Sequence, residues 1–599
     1  MAPPVSDSGS KRSLLLTSAA TVVVAGVGGG ITYLSLAPSA TERIQTAVPL
    51  LPDIADAVPT LRKKLQDTFQ QVNQTGEPSA LADYARLLQA NGFAAEAIQA
   101  WRLLIREDPE EGRWPYYLAH LYRDAGDIGE TTLLLQQTTG HSPDYSPAWL
   151  QLGDIALKAG KFATARSCYE RRLKLEPTDP YARLGLARID LQTDRIPEGK
   201  TALLELVADH PLFASAHNLL SRLYRDAGQE NLAEDHRWLG YKSGRFATAE
   251  DPWMRELHAW CVNPQLLFVI GMVDFQTNRG DRGRTEYERA VAVDPEDPGN
   301  HELLGDYYRK LNEPELALAS LRQSISLAEF QGLTPPLLSL VNLAAIEREQ
   351  GNFESSRRIA EAGIQAHPRS PELRVELGLT SEALQNFNEA VEAYEQALAL
   401  SPHDTAAHFH LGELQLRGDQ FDDAMASFAA SLVQQPTFAP ALRYLLQFTL
   451  STDRLVEAGD YADTLLKAYW GDPEVRQLVA IYHLRRGRAE QAAGANKSAI
   501  KQFQRGFDLH PRDVDLAFEL GTLQLAQSNF QAALEPLEMF LELRPQDPSA
   551  HLFLAQAYLM DGRSRRAKEL LEAGLRFAEA SGQSHTAANI REMLQAVRR

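Results

Sequence analysis

Three histidines fall within eight positions, His403, His408 and His410 in the run HDTAAHFH. Imidazoles gathered this closely are raw material for a metal site. His408 and His410 are two residues apart, however, and on a helix they point to different sides. Packing and solvent contact is therefore the favoured reading, and no metal is assigned. Cys168 and Cys261 are too few and too far apart for a disulfide framework or a C-x-x-C motif. Asp422-Asp423 opens a helical run, where acids offset the helix dipole rather than work as an acid–base pair. Gly26 and Gly30 sit in a charge-free apolar stretch, without the strand–turn–helix setting of a phosphate loop. The sequence holds no G-x-x-x-x-G-K-[ST], G-x-S-x-G, H-E-x-x-H or C-x-x-C-H. No catalytic residue, metal ligand or cofactor follows from these residues, and the chain reads as a non-enzyme.

What positions the side chains is a helical hairpin, written most fully over residues 146–179. Trp149, Leu152, Gly153 and Ala156 recur at i, i+3, i+4 and i+7, one face of a 3.6-period helix. Gly160 ends it, because the residue past a helix C-terminus often takes positive φ. Phe162, Ala165, Tyr169 and Leu173 form the face of a second helix, and Pro177 stops that one. Small residues at 153 and 165 allow close approach, while Trp149 and Tyr169 fill the space around it.

Trp149, Leu152, Gly153, Gly160, Ala165, Tyr169 and Pro177 resemble the tetratricopeptide repeat, a 34-residue helix–turn–helix unit. Ala156 stands where that pattern usually has tyrosine. The match recurs at a fixed step, with units starting at Pro78, Gly112, Ser146, Pro180 and Ala214. After an insertion the phase resumes at Pro264 and Pro298, and after five more residues at Leu337, Pro371, Thr405 and Ala439. Pro473, with an enlarged inter-helix turn near Gly494, then Val514 and Pro548 complete about 14 units. Residues 121–126 and 223–228 both read LYRDAG, three steps apart. The expected fold is all-α, a right-handed α-solenoid preceded by one transmembrane helix. Such a chain grows by adding units, so 599 residues do not imply several domains.

The expected layout begins with a cytoplasmic tail, 1–13, and a signal-anchor helix, 14–36. A linker, 37–77, carries an amphipathic helix. Units one to five span 78–240, the insertion 241–263, and units six to fourteen 264–581. A capping helix occupies 582–599, its core at 584–597. Residues 14–36 carry no charge and as a helix would span roughly 34 Å against a bilayer core of about 30 Å. A cleaved signal peptide and a buried soluble helix are the alternatives for this stretch. Lys11-Arg12 before it and only Arg43 close after it put the N-terminus in the cytoplasm. The protein is then a single-pass protein of the inner membrane with the solenoid on the periplasmic side. In the linker, Leu61, Leu65, Phe69 and Val72 share one side, suiting a helix that covers the first repeat or one that lies on the membrane. In the insertion, Asp251-Pro252 suits a helix start. Trp253, Leu257 and Trp260 share a face there, either plugging the joint between two repeat segments or gripping a partner.

By resemblance to the family, positions 2, 5, 9, 12 and 13 of each unit face the concave side. Position 9 supplies Arg86, Arg188 and Arg222, and position 12 supplies Arg123, Arg225, Arg309 and Arg348. Later units carry Glu382, Glu413 and Gln447 at these places. These arginines are the candidate partner-binding groove, because a guanidinium takes carboxylates with a planar fork. Alternatively they pair with neighbours such as Asp124 and Asp226. The family's lysine-plus-asparagine clamp, at positions 5 and 9, occurs in no unit. Net charge is −19, which argues against nucleic acid. The expected function is a membrane-tethered scaffold or adaptor in the cell envelope. Its partner would be a protein or peptide with an acidic segment, or an anionic glycan. The alternatives are a non-catalytic subunit of a polysaccharide synthesis or export machine and, disfavoured, the regulatory arm of a glycosyltransferase.

Overall fold

The computed structural model describes residues 21–24, 32–35, 38–242 and 249–598. From residue 38 onward every regular element among the described residues is a helix. The first helices of the hairpins start at Pro78, Arg113, Ser146, Pro180 and Ala214, then Pro264, Pro298, Leu337, Pro371 and Thr405, then Ala439, Pro473, Val514 and Pro548. Proline at the first helical position accounts for many of these starts, since its missing N–H is an orphan there anyway. Asp179, Asp404, Asp513 and Asp547 cap the following helices by accepting backbone N–H groups.

Tyr169 shows why the hairpins stack. Its ring lies where a Cβ on Gly153 would come within 2.7 Å of it, and a Cβ on Gly185 of the next hairpin would collide with it too. One aromatic ring therefore fills the gaps of two hairpins, and its hydroxyl donates to Asp154 Oδ1 at 2.7 Å. Tyr394 repeats the arrangement against Gly378, donating to Glu382 Oε1 at 2.6 Å. The turn between the two helices of a hairpin takes positive φ throughout, on Gly92 and Gly160 but also on Asp194, Gln385 and Ser528.

The chain forms two compact units. The first comprises residues up to Ala216 with those from Gly244 to Asn312, and the second His217–Ser243 with Glu313 onward. In the first, the linker helix Pro59–Thr75 buries Leu61, Leu65 and Val72 and packs on Pro78–Ala90. The hairpin Pro264–Val293 returns to the start of this unit, where Thr60 Oγ1 donates to Val293 O at 3.1 Å. In the second, hairpins from Leu337 onward pack in chain order. There, Ser584–Arg598 closes the last hairpin with Ile590 and Leu594 buried.

Several expectations are corrected. The transmembrane helix expected over 14–36 lies mostly outside the described residues. Its described parts, Thr21–Val24 and Thr32–Ser35, are two short antiparallel strands with Thr21 opposite Ser35. Their valine, threonine and tyrosine content favours strand. Among the described residues no helix is long and apolar enough to cross a membrane. The extra residues of the twelfth hairpin do not enlarge its turn. They lengthen its first helix, Pro473–Ala492, to 20 residues, a run rich in helix-forming Arg, Gln, Glu and Ala. The helix Ala40–Ala47 was not anticipated, although Ser39 and Glu42 form a capping box whose S-x-x-E spacing is visible in the sequence.

Candidate functional site

Within the first unit the insertion meets both the early hairpins and the hairpin Pro264–Val293, where Arg282 donates to Glu250 at 2.7 Å and Arg289 to Cys261 O at 2.9 Å. Its helix, Pro252–His258, lies inside the first unit against Pro78–Ala90. Asp251 caps it, accepting from Met254 N at 3.1 Å. The same carboxylate accepts from Tyr145 at 2.6 Å and from the Tyr116 hydroxyl. Burial, then the Asp251 charge, pushes both phenols far above their ordinary range, so they stay protonated donors. Trp253 stacks on Tyr145 and meets Tyr116 edge-on. Trp260 is anchored through its backbone carbonyl, which accepts from Asn91 Nδ2 at 3.1 Å. Both indoles pack against the core of this unit and stay partly exposed. Both belong to the packing of this inner face.

Beside this helix opens a cavity of about 730 Å³. Pro147, Leu150 and Asp154, and Tyr181, Leu184 and Arg188, stand at positions 2, 5 and 9 of the third and fourth hairpins and line one wall. Val269 and Val273 on Pro264–Gln276 and Met254 from the insertion line the other. The acids of the lining are engaged. Glu250 holds Arg282 at 2.7 Å and pairs with Arg255. Asp274 holds Arg279 at 3.0 Å, and Glu286 holds Arg289 at 2.5 Å. Asp154 accepts from Tyr169, and burial raises its pKa, as burial does for Glu286. His120 also faces the cavity. Burial keeps it well below the usual imidazole range, and its Nδ1 has no partner.

The candidate arginines divide between the two units. Arg123 and Arg188 line this cavity together. Arg123 is tied to Asp124 at 3.2 Å, whereas half-buried Arg188 makes no ion pair among the described residues, although its charge acts on Asp154. Arg86 lies beneath the insertion, bonded to Asp83 at 2.8 Å, facing Glu256, with Trp114 and Trp260 near its guanidinium plane. Arg309 is half-buried on Pro298–Lys310 of the same unit. Arg222, Arg225 and Arg348 belong to the second unit. Arg222 is 81% exposed, 4.0 Å from Asp226, and Arg225 pairs with Glu234 at 3.0 Å. Arg348 bridges to Glu376 of the next hairpin at 3.2 Å. Arg86 is set apart by residues far along the chain, Glu256 and Trp260 of the insertion, which spacing alone does not register. Cys168 and Cys261 are buried and unpaired. His410 pairs with Glu413 at 3.1 Å, and His408 Nε2 lies 3.0 Å from Pro402 O.

One tetratricopeptide-repeat family model matches residues 156–223, 381–447 and 524–587, and a second matches 268–331 and 482–548. The chain is 23% identical over 533 residues to the CTR9 homolog of Arabidopsis thaliana, covering 83% of this chain and 45% of that protein. It is 24% identical over 516 residues to cellulose synthase operon protein C of Xanthomonas axonopodis pv. citri, covering 80% of this chain and 34% of that one. The chain thus spans less than half the length of these relatives. Among solved structures, Pseudomonas aeruginosa pilF is 18% identical, covering 36% of this chain and 96% of its own, with a TM-score of 0.30. Yeast Tom70 is 17% identical, covering 87% and 95%, with a TM-score of 0.25. With its matched segments falling on the hairpins described above, the chain belongs to the tetratricopeptide-repeat proteins.

Proposed function

We propose that this protein is a non-catalytic scaffold or adaptor that holds a protein partner on the first-helix faces of its hairpins. The observation that carries this reading is the repeated hairpin itself. It spends its apolar surface on neighbouring hairpins and leaves polar first-helix side chains such as Arg222 and Arg225 at the surface. An acidic segment suits these guanidinium groups. The chain is tethered to the inner membrane by residues 14–36, with the repeats on the periplasmic side. The support is the charge-free apolar composition of that stretch and the basic pair before it. The test is crosslinking and pull-down from intact cells, comparing the full chain with a variant carrying Arg222→Glu and Arg225→Glu. Specific partners lost in the variant at low salt support the reading, and an unchanged partner set overturns it. Alkaline extraction of membranes tests the tether, since a spanning segment resists release and a peripheral one does not.

A second reading is favoured by one observation, the similarity to cellulose synthase operon protein C over most of this chain. In that reading the protein is a non-catalytic subunit of a polysaccharide synthesis or export machine, and an anionic glycan is the ligand. Soluble polysaccharide, rather than peptide, would then protect the protein in a thermal shift assay.

A further inference from the structure

The cavity of the first unit combines two features that a scaffold surface does not need. The first is a cation, Arg188, whose neighbouring carboxylate Asp154 is hydrogen-bonded to Tyr169 rather than to it. Every acid named above in the lining is hydrogen-bonded to an arginine, a tyrosine or a backbone amide, and among the described residues half-buried Arg188 has no ion pair. A partly desolvated guanidinium gains most from an anion brought to it, because the charge-assisted fork is about twice as strong as a neutral hydrogen bond. The second feature is apolar surface left uncovered opposite. Val269 and Val273 remain 59% and 44% exposed where they line the cavity, facing a wall that includes Leu150 and Leu184.

The volume suits a compact ligand, since small-molecule sites run from about 300 to 1,000 Å³. An extended peptide running along the inner faces of the first three hairpins would meet the insertion helix, which is held there by Asp251 and Trp253. We propose that this cavity binds a small amphipathic carboxylate, its anionic group on Arg188 and its apolar body against Val269 and Val273. This site is independent of the partner-holding role, and neither depends on the other.

Straight-chain carboxylates of about six to twelve carbons are the probes, with the matching alcohols as controls, measured on the full chain by calorimetry and thermal shift. The expected result is saturable binding of a carboxylate and about tenfold weaker binding of its alcohol. Arg188→Gln should weaken the carboxylate about tenfold and leave the alcohol unchanged. Val273→Trp, which fills the cavity, should weaken both, with circular dichroism showing the fold intact. Arg348→Gln, in the other unit, should change nothing. No saturable binding, or equal carboxylate binding in Arg188→Gln, overturns the proposal. So does binding only of acidic peptides at Arg188. The pull-down described above fails or succeeds separately from each of these.

Discussion

Trp253 lies face to face with Tyr145, ring centroids 3.4 Å apart and planes 6° from parallel, and its backbone N–H donates to the Tyr145 hydroxyl at 3.0 Å. Their positions are 108 apart in the chain. The tyrosine ends the turn into the third hairpin, and the tryptophan opens the insertion helix. Through this pair and Asp251, a segment from beyond the fifth hairpin is fixed on the inner face of the second and third.

Removing the ring tests that fixation. Trp253→Ala deletes the stack and the half-buried indole area, and should cost about 2 kcal/mol, between the worth of an aromatic pair and that of a fully buried tryptophan. Hydrogen exchange is the discriminating measurement. Amides of Pro252–His258 should lose protection in the variant, while those of the second unit stay as they were. Uniform loss across the chain, or none, would contradict the arrangement.

Arg172 offers a second case, a guanidinium only 2% exposed. It bonds to Asp179 at 2.8 Å and to Ser146 Oγ at 2.6 Å, and Asp179 in turn caps Pro180–Gln192 through Ala182 N at 2.7 Å. Arg172→Met leaves Asp179 buried without its partner and should cost about 3 kcal/mol in urea unfolding. Asp179→Ala loses the cap, worth about 1 kcal/mol, but leaves Arg172 bonded to Glu176 at 2.8 Å, and should therefore cost less than Arg172→Met. A double variant should be less destabilised than the sum of the two, because no orphan charge remains.

Local signals carried most of the fold, and long-range contacts carried what was missed. Prolines at 78, 180, 264, 298, 371, 473 and 548 begin first helices because their effect is confined to one turn of backbone. Leu61, Leu65 and Val72 marked the buried side of the linker helix for the same reason. The placement of the insertion was not legible, since it depends on Asp251 meeting Tyr116, 135 positions away. The arginines illustrate both sides. Arg188 stands in the cavity wall that its register position implies, whereas Arg86 has the same register and is covered by Trp260 and Glu256 from the insertion.

Backbone strain gives a prediction of opposite sign. Gln385 holds φ 63° at the inter-helix turn where Gly160 holds φ 70°. A side chain in the left-handed region costs about 1 kcal/mol or more, and glycine removes that cost while giving up some through its freer unfolded chain. Gln385→Gly should therefore stabilise the second unit by about 0.5 kcal/mol. Gly160→Ala should destabilise the first by about 1 kcal/mol. Chemical denaturation of the two variants beside the parent reads both signs.

The inner face also makes stability depend on pH through His120. The imidazole is 5% exposed, and its Nε2 lies 3.0 Å from Gln151 Nε2, which fits a neutral ring accepting the amide N–H. Burial is the main cause of its lowered pKa, with Arg123 and His258 adding to it, and Asp251 at 3.9 Å does not restore it. In the unfolded chain the ring titrates near its ordinary 6.5. Above that value neither state binds the proton and the contribution is fully present. As pH falls below 6.5 the unfolded chain takes up a proton that the folded one refuses, so stability drops by at most about 1.4 kcal/mol per unit until the folded ring titrates. His258 and His483, also lowered by burial, push the same way, while the raised carboxyls of Asp154 and Glu286 oppose it at lower pH. The parent should lose urea resistance between pH 6.5 and 5.5. His120→Gln, which keeps a polar group and cannot titrate, should lose measurably less over the same interval. Parallel pH profiles for parent and variant would mean that the folded ring accepts its proton as readily as the unfolded one.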